Sequence, residues 1–344
     1  PVLGWSFFAL KSDGSSAILI PESELTFLDR NTIDKIEILR SETLASVYDP
    51  YEQIVSFVRD LSIKKNSKVG SELSMETLAI THVPELSFTG CRTCQTIRKE
   101  TESELVDFSS SLHKMRTIKD EYEIEKISRA CEIARFGLER GLEALGEGMT
   151  EAQLASMIEQ AVYSNGVGYR SIRRARGFAY VMSGRNASGA NLPFDISSDK
   201  RITRGESILI ELNVQADGFW ADLTRTWFIG EPDGELKRRY EAVSEANEEA
   251  TRSAADGIPA RELDKVAREV ISSRGLSGEF NHRLGHGIGF RLHEPPSLHP
   301  ASDEIIRKNM TFTIEPGVYG EYHGIRVEDV VLAGGKSGTK LSKA

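Results

Sequence analysis

The chain has 344 residues, of which 39% are apolar and 28% are charged, and its net charge at pH 7 is −9. This composition is typical of a soluble globular protein, and the negative charge argues against a nucleic-acid partner. No segment approaches the ~18 consecutive apolar residues of a membrane span, so we expect no membrane association. Three cysteines cannot form a disulfide framework, which favours a cytoplasmic location. Cys91 and Cys94 form a lone C-x-x-C, which we interpret as two unrelated thiols rather than a redox pair or half a zinc site.

The N-terminal third of the chain alternates between strand-like and helix-like segments. We predict strands at residues 16–21, 35–40 and 68–72. We predict a helix at residues 51–61, because apolar residues recur there at helical spacing. The pattern indicates a small α/β domain over residues 1–112.

From residue 113 onward, the chain places two helices before a pair of strands, and it does so twice. The predicted helices lie at residues 120–145, 150–164, 233–255 and 259–274, and the predicted strand pairs at 206–229 and 310–332. Asp120 with Glu123 has the pattern of a capping box, and Gly275 is placed to end the fourth helix. The repeat predicts a pseudo-twofold α+β domain over residues 113–344, with strands inside and helices outside.

The first strand pair carries two carboxylates in apolar surroundings. Asp217-Gly218 is a strong turn signal, and a turn centred between Ala216 and Asp217 places Glu211 directly opposite Asp222. Like charges on directly opposed strand positions, ~5 Å apart, destabilise a sheet. Because the adjoining residues are apolar, water would screen this pair of charges poorly.

The second strand pair repeats the arrangement, since Glu315 and Glu328 flank a turn near residues 320–324 and can face each other. One carboxylate pair could lie on the surface, but two pairs in corresponding places of a repeated architecture indicate burial. Buried carboxylates need cations. Two divalent ions would neutralise four carboxylates, and two-metal hydrolytic sites hold their ions roughly 3.5–4 Å apart.

Three histidines, His282, His286 and His293, lie in one short segment with three glycines between them. The glycines disfavour a helix and favour an extended segment that approaches a site closely. In such a segment His293 has the opposite parity, so the three imidazoles cannot be equivalent ligands. One imidazole with four carboxylates suits Mn²⁺, Co²⁺, Fe²⁺ or Zn²⁺, and the other imidazoles are then available for proton transfer or substrate binding. We interpret His299 and His323 as surface histidines.

Four motifs resemble those of the pita-bread metallopeptidases, in the same order and spacing: ADLTRTW, GHGIGFRLHE, TIEPGVY and GIRVEDVV. This family includes proline dipeptidases, Xaa-Pro aminopeptidases and methionine aminopeptidases, and the chain looks most like the proline dipeptidase branch. The resemblance covers residues 115–344 closely and residues 1–112 loosely, the latter resembling the creatinase N-terminal domain. It implies a metal-dependent aminopeptidase or dipeptidase that acts on short peptides, including Xaa-Pro dipeptides. We also expect a homodimer.

The resemblance implies the same metal ligands as the charge argument: Glu211, Asp222, His286, Glu315 and Glu328. It further implies that a metal-bridging hydroxide attacks the scissile carbonyl, with Glu315 as the proton shuttle. His293 would contact the substrate amide or the tetrahedral intermediate, and His282 would line the pocket. Arg326 would either lie behind the metal ligands or face the substrate.

The chain departs from the family pattern at two places that bear on activity. Glu211 stands where the family usually has aspartate, and Leu212-Asn213 follows where the family has Leu-Gly. Phe194, a candidate substrate contact, stands where the family has a histidine after a proline. Loss of one transition-state donor typically costs ~10²–10³ in rate. Two alternatives therefore stay open: a metal-binding relative with a non-peptide small-molecule substrate, and a catalytically degraded protein that binds a partner.

Overall fold

The computed structural model describes residues 6–39, 50–75, 86–87, 92–191 and 197–342. Within these ranges the chain divides into two compact units, and the division falls between Leu112 and His113. Phe194 and Cys91 lie outside the described residues, so the interpretations of these two side chains stay predictions.

The N-terminal unit is a mixed α/β structure. Its strands are β1 (Phe7–Leu10), β2 (Ser16–Pro21), β3 (Lys35–Leu39), β4 (Lys68–Ser71), β5 (Ser74–Met75), β6 (Leu86–Ser87) and β7 (Glu104–Asp107). Its helices are α1 (Pro50–Asp60) and α2 (Arg92–Thr101). Strand β2 pairs antiparallel with β1 and parallel with β3, and β4 pairs parallel with β7.

Helix α1 forms because its apolar residues fall on one face, and that face supplies the core of this unit. Ile54, Phe57, Val58 and Leu61 are buried in one cluster with Leu19 of β2. The three predicted strands and the predicted helix are confirmed, with their ends within one residue of the predicted ones. The alternation of strand and helix could be predicted because each segment has the hydrophobic period of its own structure.

The C-terminal unit contains the repeated architecture. Helix α3 (Ser109–Thr117) contributes residues 113–117 to this unit. Its other helices are α4 (Glu121–Ala144), α5 (Glu151–Gly166), α6 (Arg185–Ser188), α7 (Gly234–Ser253) and α8 (Ala260–Ser273). Its strands are β8 (Ala175–Ser183), β9 (Ser207–Ala216), β10 (Phe219–Phe228), β11 (Gly285–Gly287), β12 (Glu294–Leu298), β13 (Thr311–Ile314), β14 (Gly317–Gly320), β15 (His323–Arg326), β16 (Asp329–Leu332) and β17 (Thr339–Lys340). The four long helices predicted from the sequence are all present.

Local signals set the ends of these helices. The side chain of Asp120 accepts a hydrogen bond from the Glu123 N–H, and the Glu123 side chain accepts one from the Asp120 N–H, which completes the predicted capping box. Gly275 follows the last turn of α8 with a φ of +77°, a conformation that glycine adopts without a steric penalty. Both features arise from residues adjacent in the chain, which is why the sequence predicted them.

Two sheets form the interior, and a pair of long helices packs against each. The first sheet has the order β10-β9-β8 and shares an apolar core with α4 and α5. The second has the order β12-β11-β13-β16-β17 and shares a core with α7 and α8. Strands β14 and β15 form a separate hairpin. None of the helices in the described ranges is long and apolar enough to cross a membrane.

The register of the β9–β10 hairpin differs from the prediction. Asp217 and Gly218 both have positive φ, 47° and 94°, so they are the two central residues of the turn, and Ala216 pairs with Phe219. The predicted turn was centred one residue too early. Asp222 therefore lies opposite Asn213 rather than Glu211, and Glu211 lies opposite Thr224. Moving the centre of the turn by one residue shifts the pairing of the strands by two residues. Both carboxylates therefore stay on one face of the sheet, as diagonal neighbours.

The second strand pair has the predicted arrangement of its carboxylates. Strands β13 and β16 form one ladder, β14 and β15 form another, and both ladders continue the same register. Glu315 and Glu328 occupy corresponding positions between the two ladders. Because β10 is bridged to this region through Thr224 and Glu328, the two carboxylate pairs meet at the junction of the sheets.

Candidate metal centre

Three buried side chains converge at this junction from three different segments. Asp222 comes from β10, His286 from β11, and Glu328 directly precedes β16. One potential ligand atom from each lies within 4.8 Å of the other two, and all three residues are buried. Convergence of a histidine and two carboxylates at this distance is the arrangement expected for ligands of a divalent metal.

The local chain conformation holds His286 with one ring nitrogen directed at the carboxylates. Its Nδ1 lies 3.0 Å from the Gly287 carbonyl oxygen, which can only accept a hydrogen bond, so Nδ1 carries the proton. The unprotonated Nε2 then lies 3.6 Å from Asp222 Oδ2 and 3.7 Å from Glu315 Oε1. This tautomer leaves Nε2 available as a metal ligand.

The glycines beside His286 are required by the close approach of neighbouring strands. A Cβ on Gly285 would lie 2.0 Å from the Thr313 carbonyl oxygen, and one on Gly287 would lie 2.1 Å from the Pro295 carbonyl oxygen. Only glycine fits at both positions without displacing backbone. The glycines therefore place His286 between β12 and β13, which confirms the prediction of an extended segment with close backbone approach.

Glu315 and Glu328 each have one oxygen held by a threonine. The Thr313 hydroxyl donates to Glu315 Oε1 at 3.1 Å, and the Thr224 hydroxyl donates to Glu328 Oε2 at 2.6 Å. Within the described part of the chain, Glu328 Oε1 is buried with no hydrogen-bond partner. A buried carboxylate oxygen without a partner is energetically costly unless a cation binds it.

Glu211 differs from the other carboxylates because it forms an ion pair with an arginine. Its Oε2 accepts a hydrogen bond and ion pair from Arg326 Nη2. Arg326 is buried, and its remaining nitrogens have protein partners too: Nε donates to Thr224, and Nη1 donates to the Ala190 carbonyl and to Tyr319. The sequence left two roles open for Arg326, either behind the metal ligands or facing the substrate. These contacts favour the position behind the metal ligands.

Asn213 contacts the metal cluster from the strand opposite Asp222. It is buried, and its Nδ2 donates to Asp222 Oδ1 at 2.6 Å. The two oxygens of Asp222 therefore differ, because Oδ1 is held by Asn213 while Oδ2 faces His286. The sequence had marked Asn213 only as a departure from the family pattern.

The other two candidate histidines differ in how directly they contact the cluster. The ring of His293 is 4.1 Å from that of His286, centroid to centroid. His282 contacts the Arg283 carbonyl through Nδ1 and the Tyr319 hydroxyl through Nε2, at 2.7 and 3.1 Å. His282 is thus linked through Tyr319 to Arg326. His293 is adjacent to a ligand, whereas His282 is joined to the cluster through two further side chains.

Burial dominates the electrostatics of the carboxylates. It raises the pKa of Asp222, and the nearby charges of Glu211 and Glu315 raise it further. Burial also raises the pKa of Glu328, with Asp222 adding to the effect. Burial raises the pKa of Glu315 to about 7, against the opposing charge of Arg326. Without a cation, these groups hold protons more strongly than ordinary carboxyl groups do.

Burial has the opposite effect on the histidines. It lowers the pKa of His286, and the neighbouring His293 lowers it further. It lowers the pKa of His293 to about 3, assisted by Arg283, and that of His282 to about 3, assisted by Arg326. All three imidazoles are therefore neutral at physiological pH, the form in which an imidazole can bind a metal.

The residues present fit a divalent metal ion. The donor set combines one neutral imidazole with carboxylate oxygens, and one of those oxygens is buried without a protein partner. The structure brings together four of the five predicted ligands, namely Asp222, His286, Glu315 and Glu328, and pairs the fifth, Glu211, with Arg326. His323 is not a free surface histidine, because its side chain is 17% exposed and lies 3.5 Å from Glu279.

The sequence interpretation assigned no role to four residues that contact this site, namely Asn213, Thr224, Thr313 and Tyr319. Thr224 and Tyr319 lie inside motifs that had been quoted, but no role was assigned to either one. The corrected hairpin register would have found Thr224 and Asn213, because it places them opposite Glu211 and Asp222. Tyr319 left no comparable signal, since its contacts with His282 and Arg326 depend on the tertiary fold.

Comparison with known protein families matches residues 125–334 to the model of metallopeptidase family M24. The Xaa-Pro dipeptidase of Pyrococcus horikoshii is 37% identical over 230 residues, which are 67% of this chain and 63% of the relative. The Xaa-Pro dipeptidase of Pyrococcus furiosus is 35% identical over 230 residues, 67% of this chain and 64% of the relative. The matched region thus spans less than two thirds of the length of these relatives.

Solved structures resemble the chain over almost all of its length. The X-Pro aminopeptidase from Thermotoga maritima has a TM-score of 0.79 and 27% identity, covering 98% of this chain and 88% of that chain. The prolidase from Pyrococcus horikoshii has a TM-score of 0.77 and 28% identity, with the same coverage. These similarities confirm the predicted fold class, an N-terminal α/β domain followed by a pita-bread domain.

Proposed function

The chain belongs to metallopeptidase family M24, and on that premise we propose that it is a metal-dependent dipeptidase or aminopeptidase that hydrolyses short Xaa-Pro peptides. The supporting relatives carry the names Xaa-Pro dipeptidase, X-Pro aminopeptidase and prolidase. The similarities therefore favour a proline-specific peptidase activity over a peptidase activity without this specificity.

The observation that supports this proposal most directly is the cluster of Asp222, His286 and Glu328 with Glu315 beside it. Three buried side chains that could bind a metal, with the half-buried Glu315 beside them, are a costly arrangement for a protein that does not use them. A bound divalent ion supplies activation of water and polarisation of a carbonyl oxygen. The cluster therefore supports hydrolysis over a binding role without catalysis.

The protein's own groups would handle protons and orient the substrate. Glu315, whose Oε1 lies 3.7 Å from His286 Nε2, would accept a proton from water and return one to the leaving amine. His293 is neutral and lies beside His286, where it can donate a hydrogen bond to the substrate amide or the tetrahedral intermediate. His282, held by Tyr319, would fix the pocket wall rather than exchange protons with the substrate.

The identity of the metal, the oligomeric state, the location and the role of Phe194 are also proposals. Among the metals that suit the ligand set we favour Mn²⁺, with Co²⁺, Fe²⁺ and Zn²⁺ as alternatives. We keep the homodimer and the cytoplasmic location as predictions, the latter because three cysteines give no disulfide framework. Phe194 remains the proposed substrate contact at the position where the family has a histidine.

Proline release from a panel of dipeptides tests the proposed function. Metal-stripped protein is reconstituted separately with Mn²⁺, Co²⁺ and Zn²⁺ and given Xaa-Pro dipeptides, with the matching Xaa-Ala dipeptides as controls. We expect hydrolysis of Xaa-Pro substrates, and slower or no hydrolysis of Xaa-Ala. If metal-loaded protein hydrolyses no peptide of either series, the proposed function is wrong.

A further inference from the structure

A buried ion pair lies next to His293 in the chain. Lys119 precedes α4 and Glu294 begins β12, and Lys119 Nζ lies 2.8 Å from Glu294 Oε2. The two side chains are only 1% and 3% exposed. Taking two charges out of water is costly, and replacing a buried ion pair with apolar residues often leaves a protein as stable as before or more stable. Stability alone therefore gives little reason to keep this pair.

Glu294 uses both of its carboxylate oxygens to hold the segment 288–293, which joins β11 to β12. Its Oε2 accepts a hydrogen bond from Lys119 Nζ, and its Oε1 accepts one of 2.9 Å from the Arg291 N–H. Within the same segment, the Gly289 N–H donates to the Arg291 carbonyl oxygen at 3.0 Å. The carboxylate therefore ties the middle of the segment to the start of β12 and to the lysine.

Lys119 is itself fixed, so it can serve as an anchor for the segment. Its N–H donates to the Asn309 carbonyl oxygen at 2.9 Å, and its Nζ also donates to the Arg116 carbonyl oxygen. Gly289 packs directly on the lysine side chain, since a Cβ at this position would lie 2.6 Å from Lys119 Cε. The Gly289 carbonyl oxygen accepts a hydrogen bond of 2.9 Å from the Trp220 N–H, which ties the segment to β10 as well.

His293 directly precedes the carboxylate that is held in this way. Successive side chains of an extended segment point to opposite sides. Glu294 contacts Lys119, whereas the ring of His293 lies 4.1 Å from that of His286, centroid to centroid. Holding Glu294 on one side therefore sets the position of His293 on the other. A displacement of about 1 Å in an active site can cost about 10²-fold in rate, so the position of this ring matters for catalysis.

We propose that Lys119 and Glu294 are positioning residues, and that their buried ion pair holds His293 beside His286 in the orientation in which it contacts the substrate. The pair acts through His293 and not on the substrate itself. Because the two residues are 175 positions apart in the chain, the contact forms only in the folded domain. The inference rests on the proposed function, since that function places His293 at the substrate.

An apolar replacement of the pair separates positioning from stability. Lys119→Met combined with Glu294→Leu removes both charges together, so no buried charge is left alone and the Tm should not fall. We expect kcat on an Xaa-Pro dipeptide to fall about 10²-fold with little change in KM. Glu304→Gln is the control, because the Glu304 carboxylate holds the Ser297 N–H of the same strand at 2.7 Å, and it should keep its kcat. An unchanged kcat in the folded double variant would overturn the proposal.

A double-mutant cycle with His293→Ala shows whether the pair acts through His293. In the His293→Ala background, the apolar replacement should cost no further kcat, because the group that the pair positions is already absent. Glu294→Gln keeps the shape of the side chain and removes only its charge, so it gives the same comparison if the apolar variant does not fold. An equal loss of kcat with and without His293 would show that the pair acts on the structure in general, and the proposal would be wrong.

The position of His293 can also be measured without peptide hydrolysis. The protein is labelled at its histidines, and nuclear magnetic resonance spectra are recorded with Zn²⁺ added, because this ion is diamagnetic. We expect a nuclear Overhauser contact between the rings of His286 and His293 in the wild type, and its loss in Glu294→Gln and in the apolar variant. A contact of equal strength in all three proteins would overturn the proposal. If the wild type hydrolyses no peptide, the proposed function fails, while this comparison still decides the inference.

Discussion

His293 and His299 are six residues apart but have different surroundings. The ring of His293 lies 4.1 Å from that of His286, whereas His299 Nδ1 accepts a hydrogen bond from the Ala301 N–H of its own loop. We predict that His293→Ala lowers kcat/KM on an Xaa-Pro dipeptide by about 10²–10³, the typical loss for one transition-state donor, while His299→Ala changes it little. Equal losses in the two variants would show that the role assigned to His293 is wrong.

Phe194 tests whether a missing donor limits this particular chain. We expect Phe194→His to raise kcat on an Xaa-Pro dipeptide by up to about 10²–10³, because the family has a histidine at this position. Glu211→Asp is combined with it, since residues around one metal centre rarely act additively. If metal is bound and neither the single variants nor the double variant gains activity, a non-peptide substrate becomes the better interpretation.

Metal affinity should depend on pH through the carboxylates rather than the histidines. Burial raises the pKa of Glu315 to about 7, and protons therefore compete with metal for this group as pH falls from 8 to 6. The pKa of His286 is lowered, so this ligand stays neutral over the same range. We predict weaker Mn²⁺ binding at pH 6 than at pH 8, measured by titration calorimetry. Glu315→Gln should bind Mn²⁺ less tightly, and its affinity should change less between pH 6 and pH 8. An equal change of Mn²⁺ affinity with pH in the wild type and in the variant would contradict this explanation.

At the scale of single residues, the sequence predicted which side chains converge better than it predicted how they are paired. The carboxylates were found because charged residues inside apolar strands are unusual, and that signal is local. The pairing of Glu211 with Asp222 was wrong by two positions, because the turn depends on which residues adopt positive φ. The contacts of Arg326 with Ala190 and Tyr319 join distant segments, and no local pattern encodes them.

At the scale of elements, the segment around His286 depends on two glycines between closely spaced strands. A Cβ at Gly285 would lie 2.0 Å from the Thr313 carbonyl oxygen, whereas one at Gly278 would meet no atom within 4 Å. We predict that Gly285→Ala lowers the free energy of unfolding by about 1–3 kcal/mol, as overpacking does, and weakens metal binding. Gly278→Ala is the matched control. Similar unfolding free energies for the two variants in urea would exclude the close-approach argument.

The elements themselves could largely be predicted. Helices α4, α5, α7 and α8 have local caps and apolar faces with helical spacing, so their positions follow from neighbouring residues. The second strand region was predicted as one pair but consists of four short strands in two ladders. Its division occurs where Glu315 and Glu328 lie, and Glu328 forms a bridge to Thr224 of β10 instead. The regular strand pattern on which the prediction relied is thus interrupted at two candidate metal ligands.

At the scale of the whole molecule, a metal that binds only the folded protein stabilises it by mass action. A free metal concentration 100 times the dissociation constant adds about 2.7 kcal/mol to the free energy of unfolding. We predict that removing metal with EDTA lowers the Tm of the wild type, measured by calorimetry, and that added Mn²⁺ restores it. Asp222→Ala should show no restoration. A wild-type Tm that does not respond to EDTA or Mn²⁺ would argue against a buried metal site.

In the proposed function, the cluster of Asp222, His286, Glu315 and Glu328 is a catalytic metal centre. The most direct test is kcat/KM for one Xaa-Pro dipeptide, measured on preparations whose bound metal has been counted. We predict that activity rises in proportion to bound Mn²⁺ in the wild type and stays absent in Asp222→Ala at every metal concentration. Activity that persists after the metal is removed, or that Asp222→Ala retains, would contradict the account.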